Sequence, residues 1–117
     1  MNPAAGEELR QRLLLAAEAH GDMATVATLV GKAGLDAEKA GDVGTAVGLW
    51  RRAVSAGSTD EKVADRLTVR LVKQHEYDEA ARVLRQALAS RPQSADVGLR
   101  MERRLARCER ELAQGAR

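Results

Sequence analysis

The chain has 117 residues, a formal net charge of +2 and 44% hydrophobic residues, which suits about one domain with a modest core and argues against wholesale disorder. Aromatic residues make up only 2%, Trp50 and Tyr77, so the chain lacks the rings with which proteins stack nucleobases. The single cysteine, Cys108, excludes an intrachain disulfide and a cysteine-based zinc site.

The pattern of hydropathy gives no sign of a membrane segment. No stretch reaches the roughly 20 consecutive apolar residues of a membrane span, and the first residues do not resemble a signal peptide. Together with the lone cysteine, this predicts a soluble protein of the cytoplasm that makes no contact with a membrane. The excess of Ala and Arg over Lys is typical of bacterial proteins from GC-rich genomes.

Apolar residues that recur at steps of three and four predict an all-α chain of about six helices. The first helix covers about 4–20, and the pair Gly21-Asp22 then reads as a left-handed helix stop followed by an N-cap. One face of this helix carries Leu9, Leu13, Ala16, Ala17 and His20.

The second helix covers about 23–40 and contains Gly31 and Gly34. Each glycine costs up to about 1 kcal/mol inside a helix. An apolar stripe that continues through both predicts that another helix approaches closely and compensates this cost. A break near Gly34 is the alternative.

The remaining helices are separated by similar helix-ending and helix-capping residues. Gly41-Asp42 repeats the stop and cap before a third helix that ends at about residue 56, and Ser58 with Glu61 has the spacing of a capping box. The fourth helix covers about 60–74 and the fifth about 77–90, with His75-Glu76 between them in place of a glycine turn. Arg91-Pro92 ends the fifth helix, and Ser94 caps a sixth at about 95–113.

Residues 27–60 and 61–94 are two copies of a 34-residue unit that align without a gap. A small residue is followed four positions later by a large apolar one in both copies, as Ala46 and Trp50 and as Ala80 and Leu84. With the segment Tyr77-Asp78-Glu79-Ala80 and the closing Pro92, this resembles the tetratricopeptide repeat (TPR), a helix–turn–helix unit of 34 residues.

The resemblance implies a short α-solenoid of antiparallel helix pairs, formed as a single domain over 1–117. This domain would consist of an N-terminal helix, two repeats and a capping helix at about 95–113. In this family the first helix of each repeat lines a concave groove that binds a partner protein or peptide. No Asn stands at the positions of the family's carboxylate clamp, so a clamp of that design is not expected.

The repeat register nominates residues for the partner-binding groove. Val69 and Val72 are the most informative, because they lie off the stripe that the fourth helix needs for its own core, beside several cations that suit an acidic peptide. The alternative is that both valines pack against the sixth helix. The nominated residues are Leu35, Lys39, Lys62, Arg66, Val69, Val72, Lys73, Arg100 and Arg103, and the same register also places Gly31, Glu38, Asp65, Leu99 and Arg107 on this side.

No pattern of a catalytic, cofactor or metal site emerges from the sequence. There is no nucleophile with an adjacent base, no phosphate-binding glycine loop and no paired acid. His20 and His75 stand at predicted helix ends, where they can contact terminal carbonyl groups. We therefore predict a protein that is not an enzyme and holds neither a cofactor nor a metal ion.

The sequence thus favours a protein–protein interaction module, an adaptor or scaffold whose partner is a protein or peptide, and leaves two other functions open. The first is self-association as a homodimer through an end of the stack. The second is contact with nucleic acid through the polar face of the sixth helix, which otherwise forms a solvated surface with local ion pairs. That face carries Arg100, Arg103, Arg104, Arg107 and Arg110.

Overall fold

The structure, a computed structural model, describes residues 3–115, with side chains from residue 6 onward. Within this range the chain forms six α-helices and no strand, and about 81% of it is helical, which confirms the predicted all-α class. The helices are α1 (Pro3–Ala19), α2 (Met23–Lys39), α3 (Val43–Ser55), α4 (Glu61–Lys73), α5 (Tyr77–Ala89) and α6 (Ala95–Ala113).

The predicted stop-and-cap pairs lie where the helices end and begin. Gly21 and Gly41 adopt φ values of +69° and +84°, which glycine reaches without strain. Asp22 and Asp42 then cap the following helices, accepting hydrogen bonds from the backbone N–H of Thr25 at 3.1 Å and of Thr45 at 3.2 Å. These local signals set the boundaries of the first three helices.

The capping box predicted for Ser58 and Glu61 is wrong. Asp60 caps α4 by accepting a hydrogen bond from the Lys62 backbone N–H at 2.9 Å. The backbone N–H of Ser58 instead donates to the carbonyl of Ala53 at 2.9 Å, so Ser58 belongs to the end of α3. Glu61 is thereby free to make a different contact in the loop that precedes α6.

By their internal contacts the residues fall into two compact units, unit 1 (Met1–Ser58) and unit 2 (Thr59–Arg117). In unit 1, α2 packs against both α1 and α3. α2 is continuous through both glycines, so the alternative of a break near Gly34 is wrong. The buried apolar core of this unit consists of Ala17, Val26, Ala27, Val30, Ala46, Val47, Trp50 and Ala53.

α1 presents only part of its predicted apolar face to the core. Ala17 is buried, but Leu9 is 57% exposed and Leu13 is 50% exposed. An ion pair between Arg10 and Asp36 of α2, at 3.0 Å, lies on the packed side instead. The run Leu13-Leu14-Leu15 places a leucine on several sides of the helix, so apolar spacing could not specify which side packs.

In unit 2, α5 packs against α4 and α6, and α6 also contacts α4. The carboxylate of Glu61, at the start of α4, accepts hydrogen bonds from the backbone N–H groups of Gln93 at 2.9 Å and Ser94 at 3.4 Å, just before α6. α4 and α6 therefore begin side by side and run in the same direction. The buried apolar core consists of Val63, Ala64, Leu67, Leu71, Val72, Tyr77, Ala80, Ala81, Val83, Leu84, Met101 and Cys108.

The boundaries of α3 and α5, the second helices of the two 34-residue copies, repeat with the period of the sequence. α3 and α5 begin at residues 43 and 77 and end at 55 and 89, a shift of 34 at both ends. The left-handed backbone positions shift by the same amount, because His75 (φ +61°) corresponds to Gly41 and Arg91 (φ +56°) corresponds to Gly57 (φ +95°). The two copies thus share their turn geometry even where glycine has been replaced.

Candidate functional site

A partly buried polar network on Asp65 joins α4 to α6. Arg104 donates one Nη1 hydrogen bond to Asp65 Oδ1 at 2.9 Å and another to Thr68 Oγ1 at 3.0 Å. The Thr68 hydroxyl in turn donates to the carbonyl of Ala64 at 2.8 Å. The Arg104 side chain is only 15% exposed, so it does not belong to the solvated arginine face that the sequence suggested for α6.

Arg100 is the outer member of the same network. Its Nη2 lies 3.3 Å from Asp65 Oδ2, and about half of its side chain is exposed. Asp65 therefore pairs with two guanidinium groups, one partly buried and one at the surface. This anchoring fixes α6 against α4 at the level of the second turn of α4.

Beyond this network α4 and α6 enclose a cleft of about 370 Å³ that opens to solvent. Val72 is buried and Val69 is half-buried in the α4 wall, whereas Lys73, Arg103 and Arg107 are exposed. Val69 thus keeps part of its surface open to solvent, whereas Val72 is covered. The cleft is lined by Val69, Val72, Lys73, Arg100, Arg103, Arg104 and Arg107.

All charged side chains that line this cleft are cationic. Its lining contains five cationic side chains and no acidic one. Lys73, Arg103 and Arg107 form no ion pair with any residue in the described range 3–115. Like charges that converge on a concave surface raise the local concentration of anions. The arrangement is suited to bind a group that combines negative charge with a small apolar surface.

The structure brings five of the nine nominated residues together in this cleft: Val69, Val72, Lys73, Arg100 and Arg103. Lys62 and Arg66 are exposed on α4 outside the lining, and Arg66 has other interactions of its own. Leu35 and Lys39 lie on α2 in unit 1.

Arg104 is the lining residue that the sequence argument missed as part of the groove. It stands three residues after Met101 and four before Cys108, the two buried side chains of α6. In a helix those positions share one face, so an arginine between them is held against the neighbouring helix. The positions of Met101 and Cys108 in the sequence therefore indicated that Arg104 lies on the packed face of α6.

Other titratable groups of the described chain have local structural roles. Hydrogen bonds from the side chains and backbone N–H groups of Thr25 and Thr45 lower the pKa of the carboxyl groups of Asp22 and Asp42. Burial raises the pKa of the Cys108 thiol. His75 Nδ1 and the Tyr77 hydroxyl are hydrogen-bonded at 2.9 Å across the turn between α4 and α5.

The described residues contain neither a metal-binding cluster nor a helix that could cross a membrane. Between residues 3 and 115 there is no group of three or more His, Cys, Asp or Glu side chains placed to hold a metal ion. None of the helices in that range combines the length and the hydropathy that a bilayer crossing requires.

The chain matches no model of a protein family, and no curated protein sequence matches it significantly. Function must therefore be inferred from the chain's own residues. Two features bear on it, the 34-residue period and the cationic cleft between α4 and α6.

Proposed function

We propose that this protein is a non-catalytic interaction module of the tetratricopeptide kind, which binds a partner protein or peptide in the cleft between α4 and α6. The cleft itself is the observation that carries the proposal. It combines an apolar wall of Val69 and Val72 with cations that have no ion pair in the described chain. Clefts with a few apolar and charged side chains are common peptide-binding surfaces.

The register of the contacts between α4 and α6 supports the resemblance to the repeat family. Glu61 contacts Ser94, 33 residues on, and Asp65 contacts Arg100, 35 residues on. These separations are close to the repeat length of 34. This register supports the proposal that α4 and α6 correspond to the first helices of two successive repeats, which in that family line the partner-binding groove.

A capture experiment with a matched pair of variants tests this proposal. The wild-type chain, the cleft variant Lys73→Glu/Arg103→Glu and the control variant Lys32→Glu/Arg82→Glu each serve as bait in an extract of the native host. All four positions are exposed arginines or lysines, and both variants change the net charge equally, but only the first pair lines the cleft. Circular dichroism checks that the helical content of each bait is unchanged.

We expect a partner that the wild type and the control variant capture and that the cleft variant loses. Equal capture by all three baits would overturn the assignment of the cleft, because reversal of two lining charges must weaken a partner that touches them. Capture by none of them would argue against an interaction module of this type.

Exposed leucines on α1 favour a second candidate function, self-association. Leu9 and Leu13 are one helical turn apart and both are at least half exposed, so a second copy could bury them against its own α1. Sedimentation velocity of the wild type and of Leu9→Glu/Leu13→Glu at 5 to roughly 100 µM tests this candidate. A dimer that the double variant abolishes would support it, whereas a wild type that stays monomeric throughout excludes it.

A further inference from the structure

We infer that the ligand of the α4–α6 cleft is an extended polypeptide segment in which two carboxylate side chains flank one apolar side chain. This inference rests on the proposed function and adds the chemistry and the conformation of the bound segment.

The charge of the cleft selects an anionic ligand. Arg100 and Arg104 share the carboxylate of Asp65, whereas Lys73, Arg103 and Arg107 form no ion pair with any described residue. Three unpaired cations on the rim of one small cleft repel each other, and a ligand carboxylate relieves that repulsion as it binds. Charge complementarity of this kind determines which partner is accepted and how fast it associates.

The spacing of the cations on α6 matches an extended chain. Arg103 and Arg107 are four residues apart on one helix, which separates their Cα atoms by about 6 Å along the axis. In an extended segment, side chains two residues apart point to the same side and are separated by roughly 6.6 Å. Two carboxylates separated by one residue can therefore pair with Arg103 and Arg107 together.

The residue between the two carboxylates then faces the opposite wall. Side chains alternate in direction along an extended chain, so this residue points toward α4, where the half-buried Val69, beside the buried Val72, provides the apolar surface. Lys73 continues this wall at the last residue of α4 and can meet a further acidic group or a C-terminal carboxylate. The pattern that fits is acidic, apolar, acidic.

The size of the cleft suits the side chains of a bound segment. A volume of about 370 Å³ leaves room for a few side chains that enter from the open side. Nucleic acid is disfavoured, because Trp50 and Tyr77 are both buried and cannot stack on bases.

The inference is tested by panning a library of random heptapeptides, displayed on phage, against the full-length wild-type chain. Phage that also bind the variant Lys73→Glu/Arg103→Glu are then removed. A second counter-selection removes phage that bind the neutral variant Lys73→Gln/Arg103→Gln. Enriched sequences are synthesised and titrated by calorimetry, each beside a matched peptide with Gln in place of both acidic residues and one with Ser in place of the apolar residue. A 20-base-pair DNA duplex serves as a separate competitor.

We expect cleft-dependent peptides enriched in an acidic–apolar–acidic core, with at least a tenfold loss of affinity for each matched replacement. Cleft-dependent peptides without paired acidic residues would overturn this inference and leave the proposed function standing. Enrichment that survives both counter-selections, or no enrichment, would overturn the inference too, while the capture experiment in host extract decides the proposed function independently. Displacement of the peptides by the DNA duplex would overturn it in favour of a nucleic-acid ligand.

Discussion

Gly34 of α2 lies directly against the indole ring of Trp50 of α3. A Cβ atom at position 34 would lie 2.6 Å from both Cδ1 and Nε1 of Trp50 and 3.3 Å from the carbonyl oxygen of Ala46. Trp50 is fully buried, and its Nε1–H has no hydrogen-bond partner among the described residues. The absence of a side chain at position 34 therefore allows the two helices to approach, which is why α2 tolerates a glycine in its interior.

We expect Gly34→Ala to destabilise the protein. The substitution gains up to about 1 kcal/mol of helix propensity, but overpacking a well-packed core typically costs about 1–3 kcal/mol. Because the indole is enclosed and the other neighbour is backbone, the cost should dominate, with a net loss of roughly 1–2 kcal/mol. Urea unfolding at 25 °C measures the change.

Gly48→Ala is the matched control for this substitution. Gly48 is an exposed glycine in the interior of α3, and a Cβ there would meet nothing within 4 Å. It should therefore stabilise the protein by roughly 0.5–1 kcal/mol through helix propensity alone. Equal effects of the two substitutions would show that contact with Trp50 does not determine the need for glycine at position 34.

Arg91 holds a left-handed backbone conformation that glycine would adopt more easily. Its φ is +56°, at the end of α5, and its side chain is exposed. A left-handed conformation costs a non-glycine residue about 1–2 kcal/mol, whereas glycine loses more chain entropy on folding, by roughly 0.5–1 kcal/mol. Arg91→Gly should thus raise the free energy of unfolding by about 0.5–1 kcal/mol, measured in urea.

Gly57 occupies the position of Arg91 in the first 34-residue copy, and there the reverse replacement, of glycine by a residue with a side chain, can be tested. Gly57 has φ +95°, and a Cβ at that residue would meet nothing within 4 Å, so its replacement probes the backbone alone. Gly57→Ala should destabilise the protein by about 1 kcal/mol. Changes of the same sign for Arg91→Gly and Gly57→Ala would contradict the equivalence of the two positions.

Most of the fold could be predicted from short-range signals. Gly21, Gly41, Asp22 and Asp42 act on their immediate neighbours, and the helices between them end within a few residues of the expected positions. Local spacing does not decide which of two nearby residues caps a helix. Ser58 has the spacing of a capping box, but its backbone N–H bonds to the end of α3, and Asp60 caps α4.

The lining of the cleft could be predicted only in part from the sequence. Which arginine of α6 is paired and which faces solvent depends on contacts with α4, 35 or more residues away in the chain. Val69 and Val72 were identifiable as apolar residues that the core of α4 did not need. Arg104 and Arg103 are adjacent in sequence, yet Arg104 is held by Asp65 while Arg103 faces solvent. Lys62 and Arg66 share a helix with the valines but do not line the cleft, which composition and register do not reveal.

The caps at Asp22 and Asp42 predict a loss of stability in acid. Hydrogen bonds from Thr25 and Thr45 lower the pKa of both carboxyl groups in the folded state, so the unfolded chain takes up protons first. This stabilisation is fully present above the unfolded pKa of about 3.9 and is lost as the pH falls through the folded value. Melting temperatures between pH 7 and pH 2 should decline more steeply for the wild type than for Asp22→Asn/Asp42→Asn.

Asparagine is the appropriate replacement in that comparison because it caps helices nearly as well as aspartate and does not titrate. The two proteins should therefore differ little at pH 7. Below about pH 4 the wild-type curve should fall below that of the double variant, because only the aspartates take up protons. Parallel curves over the whole range would show that neither carboxylate contributes to the acid dependence.

The network of Asp65 and Arg104 should contribute more than the other ion pairs of unit 2. Its two side chains are about 15% exposed and joined at 2.9 Å, whereas Arg85 and Glu109 are 54% exposed and 4.0 Å apart. Removal of Asp65 leaves the partly buried Arg104 without a carboxylate, at a cost of roughly 1.5–3 kcal/mol, whereas removal of Arg104 leaves Asp65 paired with Arg100. A double-mutant cycle of Asp65→Ala and Arg104→Ala, read from urea unfolding, should give a coupling free energy of about 1–2 kcal/mol.

The same cycle on Arg85 and Glu109 is the control and should give no more than about 0.5 kcal/mol, because exposed pairs are screened by solvent. Equal couplings in the two cycles would mean that Asp65 does not anchor α6, and the cleft that α6 forms with α4 would then need another explanation.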